Sequence, residues 1–203
     1  MAFGRKSPAP RAPLAEPALY DYAVKALGRR MRTEVELRRL LVARAEPGPR
    51  GEAAIKAVLA QLKEKRYLDD KSYAETYARL RQENEKFGAR RVRQGLRQKG
   101  ISAALTEQAV DARYGETNEE ALARAHLERK RIRKPENQKD TARIVRRLMA
   151  AGFSTAVIYK ILRQWDVPDE SLAALDNLEE NPGPSENSGP SENPSPPENP
   201  SEE

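Results

Sequence analysis

Apolar residues along this chain recur at helical spacing almost without interruption. Leu19, Tyr22, Ala23, Ala26 and Leu27 follow i, i+3, i+4, i+7, i+8. Ile55, Val58, Leu59 and Leu62 repeat the first four of those steps, as do Ile158, Ile161, Leu162 and Trp165. Such stripes are the buried faces of surface helices. No run alternates with the period of two that a strand requires, and no proline lies between Pro49 and Pro135. Thr33, Ser102 and Ser154 stand before helical patterns, where a hydroxyl oxygen accepts from a free backbone N–H. Gly100 and Gly152 stand where helices should stop in a left-handed residue.

Those glycines belong to a repeat. Val92, Leu96, Gly100, Ile101, Ser102, Leu105 and Ala109 recur 52 positions later as Ile144, Leu148, Gly152, Phe153, Ser154, Val157 and Ile161. A weaker copy holds Leu37, Leu41 and Ala45, then a Pro/Gly insertion over 46–51, then Ile55 and Leu59. A helical pattern precedes each copy. The fold predicted is therefore all-α: three tandem three-helix repeats over 17–68, 69–116 and 117–168, stacked into an elongated array. Prolines crowd residues 1–16, predicted to be a flexible arm. The segment 169–203 is acidic and Pro-rich, with almost nothing apolar to offset its ordering entropy, and is predicted to be disordered.

Charge sharpens the picture. The 203 residues carry a net +6, but 1–163 carry +17 and 164–203 carry −11. A basic body points to a polyanionic partner or an acidic protein surface. The chain has no Cys and one His, His126, which leaves no His/Cys zinc site and no thiol nucleophile. It has no phosphate-loop or dinucleotide fingerprint. Asp69 and Asp70 read as a helix start rather than a metal site, with Asp70 as the cap. The expectation is a protein that is not an enzyme and takes no cofactor or metal. No apolar run spans a bilayer and residues 1–16 lack a signal-type core, so a soluble, cytoplasmic monomer is expected.

Two stretches concentrate positive charge. Arg90, Arg91, Arg93, Arg97 and Lys99 fall in ten residues without an acid, and Arg90, Arg93 and Arg97 share a helical face. Arg143, Arg146 and Arg147 lie around the corresponding helix of the next repeat. Guanidinium forks suit phosphates and carboxylates, so these eight residues are the candidate partner-binding set, arranged as one stripe. Intrahelical pairing, as between Glu36 and Arg39, accounts for other cations. Aromatics are scarce, and Tyr73, Tyr77, Leu80 and Trp165 read as core, so base stacking is poorly supported.

The strings RMRTEVELRRLL (30–41), YLDDKSYAETY (67–77), FGARRVRQGLRQKGIS (87–102) and RRLMAAGFSTAVI (146–158) resemble, in order and spacing, the RecX family of recombinase regulators. The resemblance covers about residues 17–165. It implies three tandem three-helix motifs, binding to the RecA recombinase and its filament on single-stranded DNA, and inhibition of ATPase and strand exchange. The chain departs from the family pattern at Arg66, where a Gly is usual, and at Ala150–Ala151, where a basic pair is common. Its first repeat lacks the Lys-Gly after its second helix. A non-specific DNA-binding helical-repeat module would satisfy the charge alone. A helix-turn-helix transcription factor would satisfy the three-helix units, but would call for a dimerisation segment and one recognition helix.

Overall fold

The computed structural model describes residues 12–167; the expected flexible arm lies largely, and the expected disordered tail entirely, outside the described residues. The described residues form nine helices: α1 (Glu16–Arg29), α2 (Glu34–Val42), α3 (Pro49–Glu64), α4 (Asp70–Glu85), α5 (Ala89–Gln98), α6 (Ala103–Tyr114), α7 (Glu119–Arg129), α8 (Gln138–Ala150) and α9 (Thr155–Gln164). The only extended pairing among them is an isolated bridge between Leu14 and Ala45. The fold is all-α, in tandem three-helix groups.

Helix bodies pack within groups: α1 and α2 on α3, α4 and α5 on α6, α7 and α8 on α9. The predicted stripes of α1 and α3 supply the first core, where Leu19, Leu37, Leu41, Val58 and Leu62 are fully buried. The second core is lean. Ala74 and Ala78 of α4 face Val92 and Leu96 of α5, with Tyr73, Tyr77 and Tyr114 packed at its margin. Leu80 is exposed and Tyr73 and Tyr77 are only half-buried, so the core stripe of α4 runs through Ala74, Ala78 and Gln82 rather than the larger residues. Small residues let α4 lie close to α5 and α6. Gly95 takes Tyr77 so closely that a Cβ there would stand 2.2 Å from Tyr77 Oη. In the third core Phe153, Leu148, Ile158, Ile161 and Leu162 are buried, while Trp165 ends α9 half-buried.

Groups meet through turns set against helix starts. Thr33 Oγ1 accepts from Glu36 N (3.1 Å), capping α2, and donates to Lys99 O (2.7 Å) at the end of α5. Gly100, at φ +82°, lies where a Cβ would come within 2.6 Å of Val35. The same arrangement recurs at the next joint. Gly152, at φ +90°, sits on the first turn of α5, where a Cβ would meet Arg91 N at 2.3 Å, and Gly88 N donates to Ala151 O (2.9 Å).

Other caps depart from expectation. Asp69, not Asp70, caps α4, its Oδ1 accepting from Lys71 N and Ser72 N (2.9 and 3.0 Å). Asp70 instead reaches back a group and accepts from Glu34 N (2.9 Å), adding to the cap of α2. Ser102 caps α6 as expected. Ser154 stands at the N-cap of α9 without capping it: its Oγ donates to Glu119 Oε2 (2.8 Å), and Ser154 N donates to Glu119 Oε1 (2.7 Å). His126 is 4% exposed, inside the second joint. Its Nδ1 lies 3.0 Å from Glu85 O, and its ring packs between Phe87 and Phe153.

Candidate polyanion-binding surface

Helix α5 forms because its stripe, Val92 and Leu96, buries on α4 and α6, which turns the basic positions outward. Arg90, Arg93 and Arg97 line one open groove with Gln94 and Gln98, as their spacing predicts. The electrostatics of that groove differ from the sequence pattern. The ten-residue window has no acid of its own, but α6 supplies two. Arg93 donates to Glu107 Oε2 (Nε, 2.6 Å) and to Asp111 Oδ1 (Nη2, 3.0 Å), and Arg97 donates to Glu107 Oε1 (3.0 Å). The hydrogen bond from Arg93 holds the Glu107 carboxyl below the usual carboxylate range, so this clamp is charged across the physiological pH range.

The other three members of the first cluster have separate surroundings. Arg91 extends over the Phe87 ring and donates to Gln94 Oε1 (3.3 Å). Lys99 leaves the stripe and pairs with Glu36 of α2 (2.6 Å), where the Glu36 side chain is 16% exposed. Glu36 thus serves the joint between groups instead of pairing with Arg39. Arg90 is exposed and, among the described residues, no carboxylate is within ion-pair distance of it.

On α8, Arg143 pairs with Asp140 (2.8 Å), and Arg146 Nε donates to the Ala142 carbonyl (3.3 Å). Arg143 and Arg147 line a second groove, of about 330 Å³, without Arg146. Its remaining wall is the loop from α7 to α8, with Lys130, Arg131, Arg133 and Lys134. None of these four belongs to the candidate set, although the sequence carries them in one basic run. The run Lys130-Arg131-Ile132-Arg133-Lys134 is the hint; the fold of that loop against α8 is what the sequence does not show. The structure therefore places six of the eight predicted cations in two grooves and one joint, with Arg91 over Phe87 and Arg146 on its own helix, rather than all on one continuous helix face. The 52-residue repeat equates Arg91 with Arg143, but sets Arg93 against the buried Val145.

No group of three or more His, Cys, Asp or Glu residues suited to a metal ion occurs among the described residues, and no described helix is long and apolar enough to cross a membrane.

Comparison with known proteins accords with the architecture. Residues 69–110 match the family description "RecX, second three-helix domain". The chain is 34% identical over 149 residues to the regulatory protein RecX of Leptothrix cholodnii, covering 73% of this chain and 90% of that one. It is 32% identical over 150 residues to a regulatory protein RecX of Thermus thermophilus, covering 73% and 91%. The Geobacillus kaustophilus relative is also 32% identical, but the chain spans only about half (52%) of its length. A crystal structure of regulatory protein RecX superposes with a TM-score of 0.60 at 25% identity, covering 73% of this chain and 71% of that one. The RecX structure from Lactobacillus salivarius, at 22% identity and TM-score 0.57, shares the fold. With two relatives above 30% identity matched over nine-tenths of their length, the chain belongs to the RecX family of regulatory proteins.

Proposed function

We propose that this chain regulates homologous recombination by binding a RecA-type recombinase and its nucleoprotein filament on single-stranded DNA, inhibiting ATP hydrolysis and strand exchange. Membership of the RecX family is the observation that carries this reading. Physical support comes from the tandem groups joined turn to cap, which form a surface longer than one group, and from cations gathered in grooves on it. The units over 17–68, 69–116 and 117–168 act together, as a monomer in the cytoplasm, each offering a surface to neighbouring recombinase protomers.

The contact set we assign is Arg90, Arg91, Arg93, Arg97 and Lys99 with Arg143, Arg146 and Arg147. Arg93 and Arg97 meet an acidic partner by exchanging Glu107 for it, and Arg90 meets it directly. Catalysis within a filament depends on the geometry between protomers, so a clamp across that interface suppresses turnover without touching nucleotide.

The test is DNA-dependent ATP hydrolysis by the cognate RecA as this protein is titrated at moderate salt. Inhibition at well under one molecule per protomer is expected, weakened in Arg90→Ala/Arg97→Ala. Absence of inhibition with DNA binding intact would leave the second reading, a non-specific DNA-binding helical module. That reading is favoured by the same basic grooves and marked by affinity that falls steeply with salt.

A further inference from the structure

Of the two basic grooves, that of α5 holds the fewer unpaired cations, among the described residues Arg90 alone. Along α5, Arg93 and Arg97 are held by Glu107 and Asp111, and Lys99 by Glu36. At the corner between α7 and α8 the balance differs. Six cations and two carboxylates, Glu136 and Asp140, line one groove. Among the described residues, Lys130, Arg131, Arg133 and Arg147 have no carboxylate within ion-pair distance, and all four are exposed. The two pairs that do form, Arg143 with Asp140 and Lys134 with Asp166, join mostly exposed partners and hold their cations weakly.

Backbone geometry creates this convergence. Helix α7 ends at Arg129 with Lys130 as its C-cap, and Arg131 takes a left-handed conformation (φ +52°) that reverses the chain, so that residues 130–134 line a groove with α8. Ile132 N donates to Leu127 O (2.9 Å), fixing the turn, and the half-buried Ile132 and Pro135 anchor the loop. A left-handed arginine is a strained choice where glycine is easier. Here it sets one more cation at the C-terminal end of a helix, where positive charge is favoured.

We propose that the α7–α8 corner binds the phosphate backbone of a nucleic-acid strand, with Lys130, Arg133 and Arg147 as its principal contacts. Its lining contains no aromatic side chain, so bases are not stacked there, and recognition is independent of base sequence. The proposal rests on the reading above only for the class of partner, and needs no recombinase to test.

The experiment is fluorescence anisotropy of a labelled 20-nucleotide oligo(dT) with the full chain, without recombinase, over a salt series. Lys130→Gln/Arg133→Gln/Arg147→Gln should weaken binding at least tenfold. It should also lower the slope of log K against log salt by about 2, since each lost phosphate contact removes about 0.7. The equal-charge control Lys25→Gln/Arg50→Gln/Lys56→Gln, on α1 and α3, should stay within about threefold of the unaltered protein. The charge-retaining Lys130→Arg/Arg133→Lys/Arg147→Lys should bind normally, which separates charge from folding. Equal losses in the corner variant and the control would overturn the site, as would an unchanged corner variant. Binding of polyglutamate as tight as that of oligo(dT) would overturn the partner class. ATPase inhibition measured on the same unaltered protein fails or holds independently, so the two readings fall separately.

Discussion

At Gly152 two demands coincide: a φ of +90° and the Arg91 backbone nitrogen 2.3 Å from where a Cβ would stand. Gly152→Ala is expected to cost about 3 kcal/mol, combining left-handed strain with a clash against backbone that cannot move alone. Gly28, in the last turn of α1, has nothing within 4 Å of its ideal Cβ and no positive φ. Gly28→Ala should add about 0.5–1 kcal/mol, so urea unfolding of the two variants should move in opposite directions. His126 gives a pH signature. Burial pushes its imidazole below the ordinary value, Lys130 and Arg129 add to this, and the Glu85 carbonyl opposes it. The unfolded chain therefore takes up a proton near pH 6.5 that the folded chain resists. Stability is full above that pH and declines as pH falls toward the depressed folded value. The urea midpoint should drop between about pH 7 and pH 5.5, and drop less in His126→Phe. A lone histidine in a charge-rich helix gives no sign of this burial, because the rings enclosing it come from Phe87 and Phe153, 39 positions before and 27 after it.

Helix ends show how far local sequence reaches. Thr33 and Ser102 cap as their positions imply, because the bond closes within three residues. Ser154 has the same local signature, but Glu119 takes its hydroxyl from 35 positions away. Asp70 leaves the capping role expected of it to Asp69 for a similar reason: it finds a free N–H on α2, in another group. Burial raises the Asp70 carboxyl above its ordinary value, against the pull of the Glu34 hydrogen bond. Asparagine retains the accepting oxygen without a half-buried charge. Asp70→Asn should therefore unfold within about 0.5 kcal/mol of the unaltered protein, whereas Asp70→Ala, which leaves Glu34 N without its acceptor, should lose about 1 kcal/mol. Thermal melts at neutral pH distinguish them.

Across the whole described body, the joints explain a departure in the repeat. Gly100 and Gly152 each lie against the first turn of the preceding group's second helix, and the approach leaves no room for a side chain. The corresponding turn of the first group, Ala43 to Ala45, carries no such helix start. Leu14 bridges to it instead, Leu14 N donating to Arg44 O (2.8 Å), and no glycine is needed. The same scale governs charge. Glu107 holds two arginines of α5, so Glu107→Gln should free Arg97 and leave Arg93 with Asp111 alone, opening both to an anionic partner. In the recombinase assay, inhibition should then set in at roughly two- to fivefold lower concentration, the worth of exposed ion pairs. An unchanged titration would place the contact away from α5.

The sequence by itself determined the helices, their repeat, two of the caps and the left-handed glycines, since periodicity, capping and φ preference act over a few residues. It also carried the four blocks by which the family is recognised, and the sign of the charge on the body. Tertiary structure alone decided which of those charges are available. The carboxylates that hold Arg93, Arg97 and Lys99 lie 10 to 63 positions away in the chain. The basic corner between α7 and α8 exists only because a left-handed Arg131 turns its loop back against α8. Coulomb interaction depends on distance in space, and only the packing of α6 on α5, and of one group on the next, sets those distances.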